Sequence, residues 1–135
     1  MPIVTDTSVI IAVLLNEPTK SKIIEATKSQ ELIAPDSLKW EIGNAFSALF
    51  KRNIISLEQA IAGFKIFKQI PIRYPETDFN STLRISHDHN IYAYDAYFLS
   101  LAKKHKCPFI TLDGPLQKLA SKMGIRIIEV NNDDI

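Results

Sequence analysis

Asp6, Glu41, Asp95 and Asp113 stand apart from the ordinary surface acids of this sequence because of what surrounds them. Asp6 directly follows the apolar run Ile3-Val4-Thr5, and Asp113 directly follows Phe109-Ile110-Thr111-Leu112. Both runs read as short buried strands. Taken singly, either Asp also reads as the N-cap of the next helix, a position that Asp favours. Asp113-Gly114-Pro115 is moreover a good turn and helix entry. Glu41 is more informative. Residues three and four apart on a helix share a face, and Glu41 lies three after Leu38 and four before Ala45, inside an apolar stripe. The plain alternative is a Glu at the stripe edge that reaches water. Asp95 lies within Tyr94-Asp95-Ala96-Tyr97-Phe98-Leu99, a segment with hardly a polar face, and no Lys or Arg stands within one helical turn of it. Its plain alternative is a cap near a helix start. A carboxylate in apolar surroundings is costly unless something pairs with it.

These four positions become chemistry only if the fold brings them together. Several carboxylates within a few ångströms repel one another. A hard, oxygen-seeking divalent cation, Mg²⁺ or Mn²⁺, relieves that repulsion. The sequence carries no His or Cys cluster of the kind that holds zinc.

The elements that must position the acids follow from periodicity. Strands are expected at Ile3–Thr5, Glu31–Ala34, Pro71–Tyr74, Phe109–Leu112 and Ile125–Val130. Helices are expected from Thr7 to about Leu15, from Pro18 to about Lys28, over Ser37–Lys51 and Leu57–Phe67, from Glu76 to about His89, over Ala93–His105, and over Leu116–Lys122, where Gly124 ends the last. Short β-branched runs alternating with helices predict an α/β fold with a central, mostly parallel sheet. Such sheets build their sites outside the carboxyl ends of the strands, which is where Asp6 and Asp113 fall.

Bulk properties narrow the class without choosing a function. With 135 residues, 46% of them hydrophobic and 23% charged, residues 1–135 are expected to form a single domain able to bury a core unaided. The net charge of +1 neither requires nor excludes a nucleic-acid partner, which would need only a local basic patch. A single cysteine, Cys107, excludes an internal disulfide and fits a reducing cytosol. No apolar run approaches the roughly 18 residues of a membrane span. The run Val9–Leu15 is preceded by Asp6 rather than by a basic region, so it does not read as a signal-peptide core. The expected location is the cytoplasm.

Four segments together carry a resemblance: Val4-Thr5-Asp6-Thr7-Ser8, Trp40-Glu41-Ile42-Gly43-Asn44-Ala45, Tyr94-Asp95-Ala96-Tyr97 with Leu101-Ala102, and Thr111-Leu112-Asp113. In order and spacing the chain resembles the PIN domain over nearly its whole length, and within that family the VapC-like toxins of toxin–antitoxin pairs. The resemblance implies a PIN fold and an endoribonuclease dependent on Mg²⁺ or Mn²⁺, in which a metal-activated water hydrolyses RNA phosphodiester bonds. It places Asp6, Glu41 and Asp95 on the three main acidic positions, as catalytic residues and metal ligands, and Asp113 on the more variable fourth. Ser8 and Thr111 match hydroxyl residues that hydrogen-bond within the acidic site. It also implies an RNA substrate, a small antitoxin that inhibits by placing a basic side chain among the acids, and a homodimer.

Other residues read more plainly. Lys39, Lys51, Arg52, Lys65 and Lys68 could touch phosphate, but solvated helix faces explain them as well. His87, His89 and His105 lack ligand spacing. Trp40 is expected to pack beside the site, and Cys107 to be inert. Phe46, Phe50, Ile54, Ile55, Phe64 and Phe67 are more large apolar residues than one small core should take, so a dimer interface is expected over residues from about 40 to 68. The rival functions are a non-catalytic RNA-binding or scaffold module that keeps only the fold, and a phosphatase of another α/β family. Haloacid-dehalogenase-type phosphatases usually place a second Asp two residues after the first, where this sequence has Ser8. A receiver domain would need a paired acid after the first strand and a Lys after the last, and both are missing.

Overall fold

The computed structural model describes residues 1–130. The last part of the expected domain span, 131–135, lies outside the described residues. At the centre is β1 (Ile3–Thr5), flanked by β2 (Leu32–Ile33) and β4 (Phe109–Ile110), with β3 (Ile72–Arg73) beyond β2. All pairings are parallel: Ile3 pairs with Leu32, Val4 with both Ile33 and Phe109, and Thr5 with Ile110. The alternation of a strand sorts these residues onto two faces. Val4, Ile33 and Phe109 join one core with Leu38, Ile42, Phe46, Phe98 and Leu99. Ile3 and Ile110 join the other with Val9, Ala12 and Ile23. Burial on both faces explains why the strands are continuous apolar runs.

Helices fill the crossovers: α1 (Thr7–Leu14) and α2 (Lys20–Thr27), then α3 (Ser37–Lys51) and α4 (Leu57–Phe67), then α5 (Phe79–His89) and α6 (Ala93–His105), and finally α7 (Gly114–Lys122) after β4. The chain steps outward from β1 to β2 to β3, then returns to place β4 on the other side of β1. That reversal makes the crevice between the carboxyl ends of β1 and β4 a topological switch point, where open α/β sheets hold their ligands. Among the described residues no helix is long and apolar enough to cross a membrane.

Three expectations are corrected. The strand over Ile125–Val130 shrinks to one parallel bridge, Phe109 with Ile127. Gly124, at φ 81°, turns the chain out of α7 toward the edge of β4, and the hydrogen bonds Phe109 N–H to Arg126 O and Ile128 N–H to Phe109 O complete the contact. The helix expected from Glu76 begins at Phe79, because Asp78 caps it by accepting from Ser81 N–H at 3.0 Å. The helix expected from Pro18 begins at Lys20, with Thr19 as its cap residue.

Candidate active site

The turns after β1 and β4 are tied together by hydroxyl groups that converge on Asp6. Asp6 is 5% exposed and caps α1 by accepting from Val9 N–H at 3.2 Å. Its Oδ1 also accepts from Ser8 Oγ at 2.7 Å, and its Oδ2 accepts from Thr111 Oγ1. Each hydroxyl is itself held by the second turn: Leu112 N–H donates to Ser8 Oγ at 3.0 Å, and Asp113 N–H to Thr111 Oγ1 at 3.1 Å. Gln117 Nε2 anchors the Thr111 carbonyl at 2.7 Å. Asp113 caps α7 through Leu116 N–H at 2.9 Å and is otherwise exposed. The N-cap reading and the site reading of Asp6 and Asp113 are therefore compatible, since capping occupies only part of each carboxylate.

Glu41 reaches the same crevice from α3. Thr7 Oγ1 donates to its Oε1 at 3.4 Å, a long bond, while Oε2 is buried with no hydrogen-bond partner among the described residues. Ser37 Oγ lies near enough to favour the charged form more than Thr7 does, without making a well-formed hydrogen bond. Asp95 stands in the first turn of α6. That helix is buried along Phe98–Ala102, but Asp95 itself is exposed, which corrects the expectation of an acid enclosed by apolar neighbours. Trp40, expected to pack beside the site, is 69% exposed, because the inward face of α3 is filled by Leu38, Ile42 and Phe46.

The electrostatics show that the four acids share one field. Burial lifts the Asp6 pKa to about 6 despite its three donors, and the charge of Asp113 lifts it further. Burial lifts Glu41 to about 7, with added repulsion from Asp95 and Asp6. Burial of its inner portion and repulsion from Asp113 raise Asp95. Among the described residues, the charges that act on these three carboxyls are other carboxyls, with no lysine or arginine among them. An all-oxygen donor set, a buried orphan oxygen at Glu41 and uncompensated negative charge suit a hard divalent cation. The acids are nonetheless not gathered into a ready-made grip: among the described residues no three Asp, Glu, His or Cys side chains are close enough to hold an ion as they stand. Repulsion between them and the hydrogen bonds that occupy Asp6 and Asp113 account for the spacing.

Thr7, Ser37 and Gln117 were missed in the sequence. The run Asp6-Thr7-Ser8 after a strand was the available signal for Thr7; nothing local marks Gln117. Lys39 lies 3.6 Å from Asp36 and over the rings of Trp40 and Tyr74, so it is not simply a solvated charge. His87, His89 and His105 are exposed, and Cys107 is buried.

A sequence profile of the PIN domain matches residues 3–122. Among solved structures, PAE2754 from Pyrobaculum aerophilum superposes with a TM-score of 0.66 at 15% identity, covering 92% of this chain and 90% of that one. VapC20 from Mycobacterium tuberculosis, described as a sarcin–ricin loop cleaving toxin, gives 0.60 at 18%, with 87% and 94% covered. VapBC2 from Rickettsia felis, solved with a fragment of promoter DNA, gives 0.68 at 11%, with 97% and 100% covered. At these identities the likeness concerns the fold. A search of curated proteins finds no match.

Proposed function

The chain belongs to the PIN domain family, and from that premise we propose that it is an endoribonuclease dependent on Mg²⁺ or Mn²⁺, acting as the toxin of a toxin–antitoxin pair. The observation that carries the reading is the set of four carboxylates at the switch point, repelling one another with one buried oxygen left unpartnered. Membership in this family removes the phosphatase of another α/β family from consideration.

Asp6, Glu41, Asp95 and Asp113 would hold the metal, which when bound supplies an activated water and neutralises phosphate charge. The chain's own contributions follow from their settings. Ser8, Thr111 and Val9 N–H fix the Asp6 carboxylate in one orientation, so it needs no reorganisation to act. Glu41 Oε2, without a hydrogen-bond partner among the described residues, is the one buried carboxylate oxygen of the group left with its acceptor capacity unused. Asp95 and Asp113, both exposed, leave the crevice accessible to a chain as bulky as RNA.

The partners belong to the same proposal. A small antitoxin would silence the enzyme by lodging a basic side chain, an Arg above all, among the acids. A homodimer would form through the α3–α4 region, residues from about 40 to 68. The site of action is the cytoplasm.

The test is cleavage of a labelled single-stranded RNA with Mn²⁺ supplied. Asp6→Asn, Glu41→Gln and Asp95→Asn should each lower the rate by about a hundredfold or more without unfolding the protein, and Asp113→Asn should lower it less. Wild-type rates in all of the first three would dispose of the site. The competing reading is a non-catalytic RNA-binding module of the same fold, favoured by the spacing of the acids. It predicts RNA binding that no metal converts into cleavage.

A further inference from the structure

Beside the acidic crevice lies a cleft of about 540 Å³ whose walls include Trp40, Phe79, Tyr94 and Tyr97 together with Asp36 and Glu76. Its aromatic rings are left in solvent to an unusual degree: Trp40 is 69% exposed, Tyr94 61% and Phe79 60%. Exposed large aromatics gathered in one place mark a binding surface. Tyr97 meets Phe79 edge to face at 5.8 Å between centroids and meets Tyr94 at 6.3 Å, so three of the four rings pack on one another.

The cleft and the acids share their supports. Trp40 immediately precedes Glu41 on α3, and Tyr94 immediately precedes Asp95 on α6. Trp40 and Tyr94 line one cleft, while Glu41 and Asp95, the next residues on the same two helices, act on each other electrostatically, so the aromatic pair and the acidic pair lie side by side. Ser37, whose hydroxyl lies near Glu41, is itself part of the cleft lining, so the cleft adjoins the acidic crevice. The composition of the walls indicates what the cleft receives. No leucine, isoleucine, valine or methionine lines the cleft, whereas a groove that receives an amphipathic helix offers apolar pockets for aliphatic anchors. Aromatic faces suit the faces of unpaired bases, which stack on them. Carboxylates at the walls accept hydrogen bonds from base amino groups. Lys39, over the rings of Trp40 and Tyr74 and 3.6 Å from Asp36, offsets part of the acidic charge beside the cleft.

We propose that this cleft is a nucleobase subsite, in which Trp40 and Tyr94 stack an unpaired base of the RNA adjoining the phosphate held at the acids. The inference rests on the nuclease reading for its substrate, and it restricts that substrate to single-stranded or unstacked RNA.

Trp40 is the chain's only tryptophan, so its fluorescence reports on this cleft alone. The full chain, with Ca²⁺ in place of Mn²⁺ so that the acids stay neutralised while cleavage is slowed, is titrated with a short single-stranded RNA, an abasic oligomer of equal length and a blunt RNA duplex. The expected result is a saturable change in Trp40 emission with single-stranded RNA and little with the other two. Binding of labelled RNA should weaken about tenfold in Trp40→Leu and in Tyr94→Ala, and Trp40→Phe should restore most of it. Both side chains are exposed, so these variants should fold. Equal affinity for base-bearing and abasic oligomers, or an emission change evoked only by an apolar helical peptide, would overturn the subsite. RNA cleavage by the wild type without a base-dependent Trp40 signal overturns the subsite and leaves the nuclease reading intact. A base-dependent signal with no cleavage under any metal does the reverse.

Discussion

Asp6 and Glu41 hold their protons far above the usual carboxylate range, with pKa values of about 6 and about 7, because burial disfavours their charged forms. The linkage to stability has a definite sign. Their ordinary values are 3.8 and 4.5, so between about pH 4 and about pH 7 the folded state binds more protons than the unfolded one. The stabilisation from these groups is present below that window and is lost as pH rises through it. The metal-free protein should therefore show a urea midpoint that falls between about pH 5 and about pH 7.5, and Glu41→Gln should show a smaller fall. Equal pH sensitivity in the two proteins would contradict the assignment of Glu41. At this scale the sequence was most legible where a residue broke its local pattern. Glu41 in an apolar stripe was noticed for that reason. For Trp40 the sequence indicates a place beside the site but not its exposure, which depends on the direction in which α3 turns its face.

At the scale of the element, short turns carry each strand into the next helix. Asp6 follows β1 and caps α1, and Asp113 lies in the turn after β4 and caps α7. The packing of α3 on α4 depends on a close approach. A Cβ built on Gly63 would come within 3.0 Å of Phe46 Cζ, and Phe46 is 3% exposed, so the ring has little room to give. Gly63→Val should cost about 1–3 kcal/mol in urea unfolding despite the gain of a side chain, by overpacking that contact. Adding Phe46→Leu should recover part of the loss; if the single variant were as stable as wild type, the close approach would not constrain the helix pair. Helix positions were legible because the 3.6-residue period persists over several turns. The final strand was not: Ile125–Val130 has strand composition, but pairing with β4 is confined to Ile127, and extent of pairing is a property of the neighbour, not of the run.

At the scale of the molecule, two consequences of the proposed function are measurable. A cation that binds the folded protein and not the unfolded one raises stability by mass action. Millimolar Mn²⁺ should raise the Tm of the wild type by several degrees and should do so much less in Asp6→Asn; an unchanged wild-type Tm would argue for a site that holds no metal. The second consequence is assembly. Phe46 and Phe67 are buried within the chain, and Phe50, Ile55 and Phe64 pack partly against the core, so fewer of the six large apolar residues are free than the composition suggested. Ile54, Leu57 and Ile61 remain about half exposed, at 53%, 54% and 52%, and Leu57 and Ile61 lie one turn apart on α4. We expect light scattering to give a dimeric mass in the micromolar range, and Ile61→Glu to shift it toward the monomer by placing a charge in the interface. A monomeric wild type would remove the dimer and leave the nuclease reading untouched.

The sequence by itself determined the α/β class and the order of strands and helices through β4, because each of these leaves a local mark, a period or a breaker; it also singled out the four acids on which the proposed site rests. Tertiary structure alone decided the sheet order β3-β2-β1-β4, and with it the crevice between β1 and β4. It also decided that Ser8 and Thr111 hold Asp6 from two turns 103 residues apart, that the acids stop short of a closed metal grip, and that Trp40, Phe79 and Tyr94 face outward together. Strand order and side-chain direction depend on which faces the other elements have already covered. That is a matter of long-range packing, which no stretch of neighbouring residues records.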